Sequence, residues 1–464
     1  LLQHAATGEI LVYHSGNWPT PYGIVLVLDR LSALMLCLAS ILGLASLFYS
    51  IAGDDRIGRR FHLLFQMQLL GINGAFLTGD LFNLFVFFEI LLIASYALQF
   101  HGGGRARVRA ALHLVVLNLA GSAIFLIAIG AIYAATGTLN LADLAVKVTA
   151  TGTEQKLLLK AGGLLLLLVF SLKAALVPVG FWLPPAYASA SAPAAALFAI
   201  MTKVGVYAIL RMQGLVFGPE AGPVASLLTP WLLPLGLITV VVATLGVLAS
   251  RELRRLLAHL VVLSAGTLIL TLGLGSPDAT SSALYYALNS TLVGGGLFLL
   301  ADLIAKERGD ALASLTLEQP VYRSVLLGCL FFIGAVGIAG LPPLAGFAAK
   351  IYLLQSAATH PMAVWVFAIV LTSGLLVLVA LSRAGSAIFW RTGSVQKLES
   401  PISGLQIVAT AALLLGSAAL MIGAGATTGY TRAAALQLDD RDAYVNAALE
   451  NRVIVTAGST SGVP

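Results

Sequence analysis

Residues 165–210 decide the fold, and their sequence is LLLLVFSLKAALVPVGFWLPPAYASASAPAAALFAIMTKVGVYAIL. The apolar runs on both sides of its prolines are long enough to sit inside a membrane, yet they contain Lys173 and Lys203. A lysine near the bilayer centre costs roughly 2.5–3.5 kcal/mol on insertion scales, so we expect it to face a polar partner or water. Pro178 follows Lys173 closely, and proline removes a backbone donor, so we expect the first helix to break just after Lys173. Broken helices with a charge at the break are how transporters place ion sites at mid-membrane depth.

The composition excludes a water-soluble globule. The 464 residues are 59% hydrophobic and 10% charged, with a mean hydropathy of +0.96, and predict an all-α polytopic membrane protein. A net charge of +6 suggests nucleic acid in a soluble protein, but here the basic residues gather in short loops, as topology signals do. We therefore expect no nucleic-acid partner.

No motif for enzyme chemistry is present. Cys37 and Cys329 each lie alone in an apolar run, which predicts packing rather than a metal site or a disulfide. The sequence shows no nucleophile–base set, phosphate loop or metal constellation, so we expect no enzyme activity, no cofactor and no metal.

Apolar runs of spanning length predict about twelve crossings. They cover residues 24–51, 61–78, 81–100, 110–135, 157–186 (broken), 193–217, 227–250, 253–274, 281–305, 321–358 (broken), 362–390 and 403–424. The first 22 residues are expected to be the end of a helix and an exposed loop. Since the chain opens with Leu1, we also expect an N-terminal piece to be missing.

Basic residues mark the odd-numbered connections between these runs. They are Arg56, Arg59 and Arg60 in the first, Arg105, Arg107 and Arg109 in the third, Arg251, Arg254 and Arg255 in the seventh, Lys306, Arg308 and Arg323 in or beside the ninth, and Arg391 and Lys397 in the eleventh. The fifth is uncharged. By the positive-inside rule the odd connections are expected to be cytoplasmic and the C-terminal tail to face outward, resting on the membrane or on a neighbour.

A second break is expected at GLPPLAG, residues 340–346, which interrupts an apolar run and is followed by Lys350. Two five-helix units, residues 61–217 and 227–390, would each carry a lysine beside a broken helix, and the odd helix number makes the second unit inverted. Residues 1–60 are expected to form an N-terminal segment with a peripheral helix and loops, and residues 403–464 the last helix and the tail.

Glu89 is the single charge in LFNLFVFFEILLIASYALQF, and Lys173 is its natural partner. In such a pair each charge stabilises the other, so moving a neighbouring charge could expel a proton. The alternative is a structural ion pair that holds helices together. The same alternative applies to Lys203 and Lys350.

Other polar residues carry weaker signals. His259, near Arg254 and Arg255, is either a proton relay or a packing residue, and His113 is more often the latter. Asp80, Asp302, Arg211 and Arg383 lie toward span ends, where a structural role is expected. Small polar residues could hold waters between charges or pack helices: Ser171, Ser189, Ser191, Thr202, Asn289 and Ser290.

Three blocks resemble the D-type subunit of the Mrp-type multisubunit Na⁺(K⁺)/H⁺ antiporters. They are TGDLFNLFVFFEILLIASYAL (78–98), residues 171–211 and GLPPLAGFAAKIYLL (340–354), and the ending LQLDDRDAYVNAAL (436–449) agrees. The antiporter-like subunits of respiratory complex I are more distantly similar. The resemblance implies a bacterial cell (inner) membrane, fourteen helices in the intact subunit, and other antiporter subunits as partners beside the lipid bilayer.

The resemblance also implies roles for single residues. Glu89, Lys173, Lys203 and Lys350 match the family's polar chain at mid-membrane depth. Near Ser264 the complex I pattern has a histidine that is absent here, which weakens a relay role for His259.

These observations predict a proton-translocating subunit of a monovalent cation (Na⁺ or K⁺)/proton antiporter. Protons would enter by a half-channel and pass along Lys203, Lys173 and Lys350 through water. One alternative is a proton-pumping subunit of a complex I or hydrogenase-type redox complex. Another is a passive scaffold whose buried charges only lock helices.

Overall fold

A computed structural model describes residues 1–309, 313–316, 321–390 and 402–450. Its strands are β1 Leu11–His14 and β2 Val25–Leu28. Its helices are α1 Leu2–Ala6, α2 Arg30–Ile51, α3 Phe61–Leu77, α4 Leu81–Phe100, α5 Arg105–Thr136, α6 Leu141–Thr149, α7 Thr153–Lys173, α8 Leu183–Ser189, α9 Ala192–Phe198, α10 Met201–Leu215, α11 Thr229–Ala249, α12 Leu253–Leu272, α13 Pro277–Glu307, α14 Ser324–Ala339, α15 Ala345–Ala357, α16 Ala363–Gly385, α17 Gly404–Ile422, α18 Ala424–Asp439 and α19 Arg441–Leu449.

The chain is a multi-pass, essentially all-helical membrane protein, as predicted. Within the described residues, ten helical stretches are long and apolar enough to cross a membrane, and α3 and α14 are shorter apolar helices. The exact count of twelve crossings stays a prediction. Of the basic residues assigned to connections, Arg391 and Lys397 lie outside the described residues, as do residues 451–464 of the tail.

The first apolar run does not begin as a helix. Residues Val25–Leu28 pair with Leu11–His14 as a two-stranded antiparallel hairpin, and α2 starts only at Arg30. The physical reason is the N-cap at Asp29, whose carboxylate accepts from the Ser32 amide at 2.8 Å while the Ser32 hydroxyl accepts from the Asp29 amide. The first crossing was expected to start at residue 24. This start was wrong, because residues Val25–Leu28 form a strand and the helix begins only at Arg30.

The first, third, seventh and ninth connections meet at one end of the bundle, which we call the basic face. Asp54 in the first connection bonds His101 of the third and Lys306 of the ninth, and the Arg251 carbonyl in the seventh accepts from the Leu315 amide of the ninth at 2.9 Å. Arg107 and Arg254 donate to Ser189 and Ala190 of the uncharged fifth connection. That connection therefore lies at the basic face without a basic residue of its own.

The even connections and the β hairpin meet at the other end, which we call the opposite face. Gly79 bonds Val25 of the hairpin, Asp80 pairs with Asn140, and Gly222 packs on Thr149. It follows that the unit α3–α10 starts at the basic face and ends at the opposite face, whereas the unit α11–α16 runs the other way. The exact domain boundaries stay predictions.

The C-terminal helices fold back onto this chain. Tyr430 of α18 donates to the Arg30 carbonyl at 3.1 Å, and Gln437 accepts from the Arg30 amide at 2.9 Å. Arg441 of α19 donates to the carbonyl of Ala145 in α6. Up to residue 450 the tail contacts the opposite face of its own subunit, and the expectation that it also rests on the membrane or on a neighbour stays a prediction.

Candidate functional site

The first predicted break is confirmed. Helix α7 ends at Lys173, and the backbone turns through residues 174–182 before α8. Trp182 donates to the freed carbonyl of Leu172 at 3.1 Å, and the amide of Val177 donates to Thr239 of α11 at 3.1 Å. Side chains thus satisfy backbone groups that the break exposes, which non-helical backbone inside a membrane requires.

Lys173 is 4% exposed at this break, and its ammonium donates to Asn118 of α5 at 3.5 Å. The ammonium also lies 5.9 Å from the ring centre of Phe88. Ser122, one turn along α5 from Asn118, donates to the carboxylate of Glu89. Helix α5 therefore offers one polar partner to the cation and one to the carboxylate.

Glu89 and Lys173 do not form the direct ion pair that we predicted. Among the described residues, the ion pairs do not include these two. Instead, Asn118 accepts from the Lys173 ammonium and Ser122 donates to the Glu89 carboxylate. The two charged groups are thus held by different side chains of one helix, α5.

Lys203 lies in the first turn of α10, on the other side of the break. It is 2% exposed, and its ammonium donates to the hydroxyl of Ser264 in α12 at 2.7 Å. A Cβ atom on Gly205 would come within 2.6 Å of the Ala174 nitrogen, so α10 packs closely on the end of α7 beside Lys173. The two lysines therefore belong to one region of the bundle.

Lys350 follows the second break, which is confirmed between α14 and α15. Its ammonium donates at 2.5 Å to the carbonyl of Ala339, the last residue of α14. The C-terminus of a helix carries partial negative charge, so this position stabilises a cation. Asn289 of α13 bonds the Gly337 carbonyl at 3.1 Å and the Ser417 hydroxyl at 2.6 Å, which joins the second break to the centre of the bundle.

The histidines are less informative. His259 packs against Gly246 of α11, where an added Cβ would meet its ring at 2.4 Å, and we find no hydrogen bond from its ring to another described residue. His113 is exposed on α5, and its ring contacts only the Arg109 carbonyl, one turn earlier, among the described residues. This geometry favours packing for His259, and its relay role stays a prediction.

Several buried hydroxyls that are close to the lysines in sequence have no protein partner in the described part of the chain. They include Ser171 of α7, Thr202 of α10, and Ser191 at the turn between these helices. Ser189, Asn289 and Ser290 instead bond protein groups. Buried hydroxyls need a partner, so the first three are positions where water would bridge polar groups.

Sequence reasoning missed a buried ion pair at the opposite face. Arg211 of α10 donates to both oxygens of Asp29 at 2.6 and 3.0 Å, and the two side chains are about 5% exposed. The guanidinium also packs on the rings of Tyr207 and Tyr444, each 5.2 Å away. The structural role expected of Arg211 fits this geometry. Only the capping pattern of Asp29 and Ser32 could have pointed to its partner.

A second missed cluster lies at the basic face. Lys306 bonds Asp302 at 2.9 Å and Asp54 at 3.5 Å, and Tyr49 donates to Asp302 at 2.8 Å. Burial raises the pKa of Asp54, the negative charge of Asp302 raises it further, and Lys306 offsets part of the increase. Within the described chain, no group of three or more histidine, cysteine or acidic side chains could hold a metal ion.

Comparison with known proteins gives a consistent result. A sequence family described as "NADH:quinone oxidoreductase/Mrp antiporter, TM" matches residues 78–376. The chain is 42% identical over 465 residues to a probable K(+)/H(+) antiporter D-type subunit of Rhizobium meliloti (strain 1021), covering 94% of this chain and 86% of that protein. It is 36% identical to the Na(+)/H(+) antiporter D-type subunit of Bacillus subtilis (strain 168), covering 97% and 90%.

A solved structure agrees with this result. A chain of the Mrp complex from Dietzia sp. DQ12-45-1b superimposes with a TM-score of 0.87 at 26% identity, covering 97% of this chain and 91% of that chain. The predicted resemblance is confirmed, and the chain belongs to the NADH:quinone oxidoreductase/Mrp antiporter family of membrane subunits.

Proposed function

We propose that this chain is the proton-translocating subunit of a multisubunit monovalent cation (Na⁺ or K⁺)/proton antiporter, working with other antiporter subunits in a bacterial inner membrane. The observation that carries the proposal is the set of lysines at or beside helix breaks, which have neutral partners instead of carboxylates. Asn118, Ser264 and the Ala339 carbonyl each accept one hydrogen bond. The antiporter names of the relatives support the same reaction.

Neutral partners suit proton exchange. A carboxylate in direct contact holds an ammonium in its charged form, whereas a hydroxyl or carbonyl hydrogen-bonds it without adding a counter-charge. Each lysine can then release its proton to a bridging water and regain one. The buried hydroxyls of Ser171 and Thr202, on the same helices as Lys173 and Lys203, would hold waters in this region.

Glu89 would couple these steps. Its carboxylate and the Lys173 ammonium are each held by one side chain of α5, Ser122 and Asn118 respectively. A small shift of α5 relative to α7 would change the separation of the two charges. The proton affinity of Lys173 would then change with the conformation, which links proton movement to cation movement. The subunit is thus proposed to act as a secondary transporter and not as an enzyme.

The test is Lys173→Ala in the intact complex. We expect normal assembly, and cation/proton exchange in vesicles reduced by about 100-fold or more, the usual scale for loss of a proton-transfer group. The matched control is Lys160→Ala on the same helix, α7, outside the site. A fall in assembly that accounts for the whole loss of exchange would instead favour the scaffold alternative.

A second candidate function is the proton-pumping subunit of a redox complex. It is favoured by the matching family, whose description includes NADH:quinone oxidoreductase. The same lysines would then move protons under the drive of electron transfer elsewhere in the assembly. Purification of the complex distinguishes the two, because redox-cofactor subunits would accompany the chain only in the second case.

A further inference from the structure

Two cavities lie end to end between Lys203 and the opposite face. The inner cavity has a volume of about 20 Å³, room for about one water molecule, and is lined by Lys203, Tyr207 and apolar side chains of α2, α10, α12 and α13. The outer cavity, here called the vestibule, has a volume of about 340 Å³. Its walls include Glu220, Thr280 and Arg441.

The two cavities have two leucines in common. Leu210 of α10 and Leu272 of α12 line both, and they are the residues that the two linings share. They are 7% and 6% exposed, so protein covers nearly all of each side chain. These two aliphatic side chains, which belong to the walls of both the vestibule and the cavity of Lys203, are here called the partition.

The inner cavity offers water few partners. Its polar lining groups are Lys203 and Tyr207, and the Tyr207 hydroxyl already donates to the Phe76 carbonyl at 2.6 Å and accepts from Arg211 at 2.9 Å. An apolar cavity of this kind disfavours water, and a hydrophobic constriction can gate a pathway by excluding it.

Lys203 nevertheless has unused donors. An ammonium carries three N–H groups, and in the described part of the chain one of them is used, by Ser264 at 2.7 Å. The cavity that Lys203 lines is the one that leads to Leu210 and Leu272. A chain of water entering from the vestibule would meet this ammonium first.

The partition is held by the buried ion pair at the opposite face. Arg211 directly follows Leu210 in α10, and Asp29 fixes it through two hydrogen bonds. Tyr444 of α19 packs on the same guanidinium at 5.2 Å. The N-terminal cap and the C-terminal helix thus set the position of Leu210.

We propose that Leu210 and Leu272 form a hydrophobic gate through which Lys203 exchanges protons with the opposite face. When the gate hydrates, the Lys203 ammonium releases its proton to water in the vestibule and becomes a neutral amine, and the reverse step recharges it. This inference rests on the proposed function, because the gate would give the lysines a point at α10 where protons enter or leave.

The test is thiol accessibility from the opposite face in sealed vesicles of one orientation. The intact complex carries Cys37→Ala and Cys329→Ala, and a small, positively charged, membrane-impermeant methanethiosulfonate is the probe. Thr280→Cys in the vestibule is expected to react fast and Lys203→Cys at least about tenfold more slowly. Adding Leu272→Ala to Lys203→Cys is expected to bring its rate close to that of Thr280→Cys.

The matched control is Leu270→Ala, on the same helix but packed on Gly236 of α11 and lining neither cavity. It is expected to leave Lys203→Cys slow. If the Leu272→Ala complex does not assemble, Leu210→Ala opens the same partition from the other side. The proposal is overturned if Lys203→Cys stays unreactive from the opposite face in an assembled gate variant, or reacts only from the basic face.

Labelling does not depend on transport, so the two proposals fail separately. If Lys173→Ala leaves exchange intact while the gate variant labels as expected, the gate is present and the proposed function is wrong. In complexes that keep Lys203, Leu272→Ala is also expected to raise passive proton flux without Na⁺ or K⁺ several-fold. Leu270→Ala is expected to leave that flux unchanged.

Discussion

Lys203 and Arg211 are two buried cations on the same helix, about two turns apart, and the structure treats them differently. Arg211 is fixed by both oxygens of Asp29 and by two aromatic rings. Lys203 has one hydroxyl partner, Ser264, and lines a cavity. Both cations are buried, so burial does not distinguish them. Pairing with a carboxylate does: the paired Arg211 holds helices together, whereas Lys203, without a carboxylate partner, is free to release and rebind its proton.

The side-chain chemistry agrees with this division. A guanidinium stays protonated and matches a carboxylate with two parallel hydrogen bonds, so arginine suits a permanent pair. An ammonium is a point charge that can lose its proton. Burying a cation in a bilayer is unfavourable. A counter-charge offsets this cost for Arg211, and access to water would offset it for Lys203.

The largest expected effect concerns Arg211, the cation that is paired with a carboxylate. Arg211→Ala leaves Asp29 buried and unpaired, which we expect to destabilise the subunit by about 3–5 kcal/mol. Thermal unfolding of the purified complex, together with the amount assembled, measures this loss. The double variant Asp29→Leu with Arg211→Met is expected to recover much of it, because no unpaired charge is left. An Arg211→Ala complex as stable as the wild type would contradict a structural role for the pair.

The next largest effect concerns Lys203, the cation that we propose exchanges its proton. Lys203→Ala is expected to leave assembly normal and to lower cation/proton exchange by about 100-fold or more. Lys203→Arg is expected to be equally inactive although it keeps the charge, because a guanidinium does not release its proton. Exchange is measured in vesicles with a pH-sensitive dye and normalised to assembled complex. Wild-type exchange in Lys203→Arg would show that no proton leaves this position.

The smallest effect concerns an intermediate case, Asp54 at the basic face. Burial and Asp302 raise its pKa, so the folded protein binds this proton more tightly than the unfolded chain does. The stability that protonated Asp54 contributes is present below the unfolded pKa of about 3.9 and is lost as pH rises through the folded value. Relative to Asp54→Asn, the wild-type complex should therefore lose stability as pH rises above about 4, and then level off.

The size of this change is limited to about 1 kcal/mol, because Lys306 offsets part of the cost and its side chain is 27% exposed. Melting temperatures across the pH range give the measurement. Asp55→Asn is the matched control, since Asp55 is the next residue and pairs with His62 outside the cluster. Parallel stability curves for wild type and Asp54→Asn would contradict the assignment.

The sequence predicted the elements that one-dimensional patterns encode. Both breaks lie where proline and glycine interrupt apolar runs, since proline lacks the backbone N–H that a helix needs and glycine is less favourable in a helix than other residues. The predicted crossing at residues 81–100 coincides with α4, because a run of apolar side chains marks it. The meeting of the first, third, seventh and ninth connections at one face also followed from their basic residues.

The tertiary structure decided which charges meet. The sequence predicted that Glu89 and Lys173 pair because both are ionisable within spans, but Asn118 and Ser122, on a third helix, are the groups that bond them. Arg211 pairs with Asp29, which lies 182 residues earlier in the chain. No local pattern encodes such contacts, because they depend on the angle and register at which helices pack.

The amino-acid sequence by itself determined that the chain spans a membrane, where its helices break, and which side chains must be reconciled with a bilayer. These follow from transfer free energies and backbone sterics, which are local properties. The pairing of Arg211 with Asp29, and the cavity that Lys203 shares with Leu210 and Leu272, are seen only in the tertiary structure. Partner choice and cavity shape arise from packing among distant segments, so they appear only when the helices are assembled.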